Sequence, residues 1–311
     1  MVKQTGWFGR HWKVLATLGV LLLFFQEGLL VLAVLLVLSP PLRTQTAAVA
    51  VLAGGLGLTW LLHPGELHNQ VWRAGTVLAL AVFVPATFYT KATVTHRILL
   101  AGTTAAVGVL ILCAATGLSW GELRWWVERG WGRTAQIFMS GVWYVEGGTG
   151  AAGKQLRELF DSMIGVAADY FPARTTLQVM TGLAFATIAY RHLATVPRGV
   201  APGPFREIRF TEHLGWAAIV LLVVVLVPKL AAAKLGAMNV LLVFGALYAL
   251  RGVAVFVVGF HALGGGCLNA VLFSAAAFLL LPLAFIGAIL LGIVDTSFDL
   301  RRRWARPPAG G

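Results

Sequence analysis

Two charged side chains, Glu27 and Arg251, lie deep within apolar stretches of this 311-residue sequence. A charge inside a bilayer is costly, so it usually faces protein or water and finds a partner there. Tyr248 and Val255 share a helical face with Arg251, which predicts that this face points at protein. Two interpretations stay open. Either Glu27 and Arg251 pair or line a common pocket, or each reaches a nearer membrane interface.

A polar pocket between helices is the hypothesis that we favour for function. The first, sixth and seventh membrane segments would line it, and it would hold a small molecule or a lipid. The polar residues that these segments contribute are Gln26, Glu27, Asn239, Tyr248 and Arg251. The protein would then bind its ligand, or help to transport it, without catalysing a reaction.

A second group of reactive side chains is His63, Glu66 and His68, three potential metal ligands within six residues. Their order is not the H-E-x-x-H of zinc proteases, and the Pro-Gly turn between them argues against a helix that presents both histidines on one face. We therefore expect a loop at the membrane interface and no metal site.

Catalytic motifs are missing from the sequence. It contains no G-x-S-x-G elbow and no G-x-x-x-x-G-K-[ST] phosphate loop. No nucleophile, base and orienting group fall on neighbouring segments, so we expect neither an enzyme nor a cofactor. Cys113 and Cys267 lie in or beside apolar segments, and their spacing predicts neither a disulfide nor a metal. Transport against a gradient would need energy from an ion or from a partner ATPase module.

Composition places these residues in a membrane protein. Hydrophobic residues make up 59% of the chain and charged residues only 12%, against roughly 25% charged in soluble proteins. Lys and Arg number 24 against 12 acidic residues. We interpret this excess as charge that orients helices and contacts lipid headgroups, and not as a nucleic-acid site.

The fold class that follows is all-α, a polytopic transmembrane bundle of eight membrane segments with additional interfacial amphipathic helices. The N-terminal group, residues 1–118, holds segments 12–38, 46–62, 71–89 and 98–117, and the C-terminal group, residues 172–296, holds segments 175–190, 214–227, 237–261 and 268–294. Gln26, Glu27 and Gly28 interrupt the first segment. It is either one long tilted helix or two half-helices that meet at a break.

Residues 119–171 between the two groups are rich in Trp and Arg, which is typical of helices lying in the membrane interface. The pattern predicts two helices, 120–145 and 150–170, joined by a glycine-rich turn. They form either a lid or docking surface, or an aromatic belt at the headgroups.

The chain ends in a basic tail, residues 297–311. Eight crossings and basic residues near both termini place the termini in the cytoplasm, although the basic link 191–212 then falls outside. Either one segment is re-entrant or this link is an exception. Asp295 and Asp299 have no explanation at this stage, because acidic residues oppose the dipole at the C-terminal end of a helix.

Five short motifs, taken in order, resemble the YybS-like family of bacterial integral membrane proteins of unknown function. The motifs are LSPPLR, DYFP, PFREIRFTEHLGW, MNVLLVFGALYALRG and GIVDTSFDLRRR. The family pattern singles out Pro41, Arg43, Pro172, Phe205, Asn239, Gly252, Gly292, Asp295 and Arg301. Arg251 departs from that pattern, in which an acidic or amide residue often precedes the glycine, so the resemblance does not support a pair with Glu27.

That family is distantly similar to the substrate-capture subunits of energy-coupling-factor vitamin transporters and to the cell-shape protein MreD. The resemblance implies a bundle in the bacterial cytoplasmic membrane that works beside a membrane protein partner or an ATPase module. The alternative to ligand capture is a membrane scaffold without a ligand, as in MreD. An intramembrane enzyme is the least favoured of the three.

Overall fold

The computed structural model describes residues 7–146, 151–201, 203–205, 210, 213–262, 266 and 279–301, and these residues contain helices and no strands. They divide into two compact units, one within Met1–Ala201 and one within Pro202–Gly311. An all-helical membrane protein is what the apolar composition requires, because a helix satisfies its own backbone hydrogen bonds in lipid.

The first unit contains eight helices in its described part: α1 (Trp7–Phe24), α2 (Gln26–Val37), α3 (Thr44–Leu62), α4 (Leu67–Tyr89), α5 (Val94–Thr116), α6 (Trp120–Glu146), α7 (Ala151–Asp169) and α8 (Phe171–Leu193). The described part of the second unit contains α9 (His213–Leu226), a short 3₁₀ turn (Pro228–Leu230), α10 (Ala231–Ala262) and α11 (Leu281–Phe298).

Five stretches of helix in the described ranges are long and apolar enough to cross a membrane: Thr44–Leu62, Leu67–Tyr89, Val94–Thr116, Pro228–Phe260 and Leu281–Phe298. Three shorter apolar helical stretches accompany them: Val14–Phe24, Gln26–Val37 and His213–Leu226. The helical membrane bundle is thus confirmed, while the count of eight crossings stays a prediction.

The first predicted segment, 12–38, is two helices and not one. Helix α1 ends at Phe24 and α2 begins at Gln26. The N–H of Phe25 still donates to the carbonyl of Leu21 at 3.0 Å, whereas the N–H of Gly28 donates to the carbonyl of Phe25, only three residues earlier, at 2.8 Å. The alternative of two half-helices, which the sequence left open, is the one observed.

Helix α8 lies at the centre of the first unit, packed against α1, α2 and α5. It is less apolar than the five candidate spans, because Thr175, Thr181 and Thr187 are spaced along it. Each of these hydroxyls donates to a backbone carbonyl one turn earlier in α8, at 2.7–2.9 Å. A helix surrounded by protein can carry such groups, since its own backbone satisfies them.

In the second unit, α10 and α11 pack at close backbone distance through two glycines. A Cβ at Gly252 would overlap the carbonyl oxygen of Ala288, and a Cβ at Gly292 would overlap that of Tyr248. Small residues at a crossing let helix backbones approach closely in a membrane. The two glycines that the family resemblance singles out therefore form the contact between these helices.

Helices α6 and α7 correspond to the two predicted interfacial helices. Their ends agree with the predicted ranges 120–145 and 150–170 to within one residue. Helix α6 begins with a capping box. The N–H and hydroxyl of Ser119 both donate to the Glu122 carboxylate at 2.9 Å, and the N–H of Glu122 donates to the Ser119 hydroxyl at 3.2 Å. The glycine-rich turn between α6 and α7, the start of the eighth segment and most of the basic tail lie outside the described residues.

Gly252→Ala should destabilise the second unit by about 1–3 kcal/mol, because the added methyl group must displace the Ala288 backbone. The measurement is thermal unfolding in detergent micelles. Gly287→Ala on α11 is the matched control, since a Cβ there meets nothing within 4 Å. Equal stability of the two variants would contradict the close packing.

Hydrogen bonds from Ser119 lower the pKa of Glu122 below its ordinary value. A lowered folded-state pKa means that this carboxylate stabilises the start of α6 above the unfolded pKa and stops doing so as the pH falls through the folded value. Ser119→Ala should move the pKa of Glu122 upward, toward its ordinary value, because it removes the hydrogen bond from the Ser119 hydroxyl. A ¹³C-carboxyl NMR titration measures it, with the Glu122 signal assigned by Glu122→Gln and Ser297→Ala as control.

Candidate functional site

The five residues predicted to line one pocket are divided between the two units. Gln26 and Glu27 begin α2 in the first unit, whereas Asn239, Tyr248 and Arg251 lie on α10 in the second. Gln26 is exposed and Glu27 is buried, so the two adjacent side chains do not share an environment.

The three residues on α10 are spread along that helix. Asn239 and Arg251 are twelve positions apart, which is ~18 Å along a helix. The amide nitrogen of Asn239 donates to the carbonyl of Leu235 at 3.0 Å, within its own helix. The predicted buried face around Arg251 is confirmed, because Tyr248 and Val255 are buried with it.

Arg251 finds its partner within the second unit. Its Nε donates to Oδ2 of Asp295 at 2.8 Å, and its Nη2 donates to the backbone carbonyl of Asp295 at 3.2 Å. Glu27 is therefore not the partner that the structure gives to Arg251. The sequence analysis compared only Glu27 and Arg251, the two charges deep within apolar segments, and left Asp295 without an explanation.

Arg301 completes this buried cluster. Its Nη2 and Nε donate to Oδ2 of Asp295 at 2.8 and 3.1 Å, and its backbone N–H approaches Oδ1 at 3.3 Å. Asp295 is fully buried, and Arg251 and Arg301 are 5% and 6% exposed. Two guanidinium groups thus surround one carboxylate, and the cluster links α10 to the end of α11.

The turn at Asp299 explains how Arg301 reaches Asp295. Asp299 adopts a left-handed conformation, with φ of 44°, immediately after α11 ends. The chain therefore folds back, and Arg301 lies against the last turn of the helix. The two arginines also explain why an acidic residue can occur at the C-terminal end of a helix. Their positive charge outweighs the unfavourable helix dipole at Asp295.

Glu27 has the opposite environment. Its side chain is 2% exposed, and neither carboxylate oxygen has a hydrogen-bond partner among the described residues. It lies in the first turn of α2, one residue beyond the break after α1.

Helix α8 closes the space around Glu27. A Cβ at Gly28 would lie 2.8 Å from the carbonyl oxygen of Gly182, and a Cβ at Gly182 would lie 3.4 Å from Oε1 of Glu27. Gln178, one turn earlier on α8, donates to the carbonyl of Phe24 at 3.3 Å. The backbone of α8 thus passes directly beside the carboxylate and bonds to the broken end of α1.

A buried arginine that the sequence analysis missed is Arg97, at 1% exposure. Its Nε donates to the carbonyl of Ala92 at 2.9 Å and its Nη2 to that of Val200 at 3.2 Å. It lies in the first turn of α5, where hydropathy suggests an interfacial charge. One feature of the sequence could have drawn attention to Arg97. No acidic residue occurs from 67 to 121, so no carboxylate nearby in the sequence can accept hydrogen bonds from this arginine, and carbonyl groups accept them instead.

His63 and Glu66 lie in the loop between α3 and α4, whereas His68 lies in the first turn of α4. The loop and the start of α4 form one wall of a cleft. We call it the Trp cleft; its volume is about 940 Å³, and it is lined by residues 63–70, Trp126, Gly130, Trp131, Arg133 and Thr134. Arg133 on α6 forms an ion pair with Oε1 of Glu66. Within the described residues no three His, Cys, Asp or Glu side chains are grouped to hold a metal ion.

The other residues of the family pattern are spread over the chain. Pro41 and Arg43 precede α3, Pro172 lies in the first turn of α8, and Phe205 is exposed in the link before α9. Only Gly252, Gly292, Asp295 and Arg301 come together, in the second unit.

Asp295→Asn should destabilise the protein by about 3–5 kcal/mol, because it leaves two buried arginines without a counter-charge. Thermal unfolding in detergent micelles measures the change. Glu158→Gln, at an exposed position on α7, makes the same carboxylate-to-amide change and should stay within about 0.5 kcal/mol of wild type. If both variants unfold at the same temperature as wild type, the cluster does not stabilise the fold.

No curated protein shows significant similarity to this chain, and no solved structure does. A family described as predicted membrane protein (DUF2232) matches residues 77–296, which is more than half of the chain. That region contains α5 to α10 and most of α11, including the Arg251 and Asp295 pair. The expected membership of an uncharacterised membrane family is confirmed, while the YybS-like assignment and the likeness to capture subunits and MreD stay predictions. The chain belongs to the DUF2232 family of predicted membrane proteins.

Proposed function

We propose that this protein is a non-enzymatic membrane-embedded binding protein that holds a compact cation at Glu27. The observation that carries the proposal is the isolation of this carboxylate. Both oxygens are buried, and neither has a hydrogen-bond partner in the described part of the chain. An ionised carboxylate without a partner in an apolar interior costs several kcal/mol, so a bound cation would stabilise it.

The comparison with Asp295 supports this inference. Asp295 is equally buried, and its carboxylate receives bonds from two arginines. Among the described residues, one buried carboxylate is thus bonded to two arginines, and the other has no hydrogen-bond partner. The lack of a protein partner for the Glu27 carboxylate is what we expect of a site that a ligand occupies.

The helix break beside Glu27 also favours a cation site. Discontinuous helices form the ion and substrate sites of many membrane transporters, because the break exposes backbone groups at bilayer depth. Glu27 lies in the first turn of α2, where the helix dipole favours the ionised carboxylate. An ionised Glu27 attracts a positive ligand more strongly than a neutral one.

The size of the occupant follows from α8. The Gly182 backbone approaches Glu27 so closely that even a Cβ there would lie 3.4 Å from Oε1. With a helix backbone packed this close to the carboxylate, the proposed occupant is a monovalent metal ion or the ammonium end of a small molecule, and not a bulky substituted ammonium. Binding without chemistry is also what the resemblance to substrate-capture subunits implies, and a partner or ATPase module would then supply the energy for transport.

The test is cation-dependent stability. Wild type in phosphatidylcholine nanodiscs is unfolded thermally in the chloride salts of Na⁺, K⁺, methylammonium and N-methylglucamine at equal ionic strength. One compact cation should stabilise wild type saturably, by about 2.7 kcal/mol at a concentration of 100 times Kd. Glu27→Gln should abolish this response, and Glu158→Gln should retain it.

Two outcomes would overturn the proposal. The first is a wild type that responds equally to all four salts, which would leave Glu27 a neutral buried acid in a scaffold without a ligand. The second is a Glu27→Gln variant that keeps the response. Native mass spectrometry of both proteins checks the bound ion directly, so the result does not depend on the stability of the variant alone.

A further inference from the structure

We propose that the Trp cleft binds the hydroxyl-rich ring of a sugar. This site is independent of Glu27, because it is built from the loop between α3 and α4 and from one face of α6. Its volume of about 940 Å³ falls at the upper end of the range for small-molecule pockets, roughly 300–1,000 Å³.

Two tryptophans provide apolar walls. Trp126 and Trp131 line the cleft, and both are half-buried. The guanidinium of Arg174 on α8 lies 4.2 Å from the ring centre of Trp131, which fixes the orientation of that ring. Flat aromatic faces beside polar groups suit a ring that is apolar on its faces and polar at its edge.

The polar groups of the cleft include two unsatisfied atoms side by side. Oε2 of Glu66 and Nδ1 of His68 lie 3.6 Å apart, and neither has a hydrogen-bond partner in the part of the chain that the structure describes. A hydroxyl group both donates and accepts, so one hydroxyl can bond to a carboxylate oxygen and an imidazole nitrogen at the same time. This pair thus fits a polyol better than an amine or an anion.

The balance of charge also favours a neutral ligand. Arg133 and Glu66 form an ion pair, which leaves neither charge uncompensated for an ionic ligand. The amides of Asn69 and Gln70 add uncharged polar groups to the same wall.

Gly130 packs directly against this pair. A Cβ at Gly130 would lie 3.0 Å from Oε2 of Glu66 and 2.8 Å from Cε1 of His68. Gly130→Ala therefore forces the His68 ring and the Glu66 carboxylate to shift, which moves both groups away from the positions in which they would bond to a ligand hydroxyl. Gly132, two residues along α6, faces open space, because a Cβ there meets nothing within 4 Å.

The position of the cleft gives two sources for the sugar. Helix α3 ends at Leu62 and α4 begins at Leu67, so the loop lies at the end of two candidate spans. Tryptophan-rich helices such as α6 are typical of the headgroup level. The ring can belong to a soluble sugar or to the headgroup of a glycolipid, and the experiment separates these.

The experiment uses full-length protein in phosphatidylcholine nanodiscs, purified without sugar-based detergents. One arm titrates maltose, and the other replaces part of the lipid with monoglucosyl diacylglycerol. The thermal unfolding midpoint of wild type should rise saturably in at least one arm. A rise with maltose identifies a soluble sugar, and a rise with the glycolipid alone identifies a headgroup.

Two matched pairs locate the site. Trp126→Ala and Gly130→Ala should each weaken the apparent affinity about tenfold or more. Trp120→Ala, at an exposed position on α6 that does not line the cleft, and Gly132→Ala should stay within about twofold of wild type. The proposal fails if neither arm gives a saturable response, or if the control variants lose as much affinity as the cleft variants. Glu27→Gln should leave the sugar response unchanged, which separates this result from the cation site.

Discussion

The constraint that shapes this protein is that a charge buried away from water must be compensated by protein or by a ligand. Three buried charged residues in the described structure differ in how they are compensated. Asp295 is surrounded by two arginines, and Arg97 donates to backbone carbonyls. Neither carboxylate oxygen of Glu27 has a hydrogen-bond partner in the described structure. Because such compensation is worth several kcal/mol, the third case is the one that needs a functional explanation.

The same constraint explains the unusual features of the backbone in the first unit. A break between α1 and α2 leaves carbonyls without helical partners, and Gln178 bonds to one of them. Helix α8 can supply that amide because it packs directly against α1 and α2. Its threonines bond to their own backbone, so a helix of moderate polarity is stable at the centre of the unit.

The sequence predicted the elements well and the contacts between charges poorly. Helical spans and interfacial helices depend on local hydropathy and on tryptophan content, which a single sequence contains. The partner of Arg251 lies 44 residues away, and Asp295 is near a helix end, where its type suggests an exposed charge. Only the turn at Asp299, which brings Arg301 back, makes that position a buried one. The family resemblance selected Asp295 and Arg301 together, although it gave no physical reason for them.

The polar groups of the two units differ in a way that bears on function. In the second unit the strongest buried charges are already bonded to one another, so they resist change and stabilise the pairing of α10 and α11. In the first unit Glu27, Glu66 and His68 keep hydrogen-bonding capacity that no described group uses. A buried donor or acceptor without a hydrogen bond destabilises the fold unless another group bonds to it. Both binding proposals therefore concern the first unit, whereas the cluster of Asp295 with Arg251 and Arg301 clamps α10 to the end of α11 in the second.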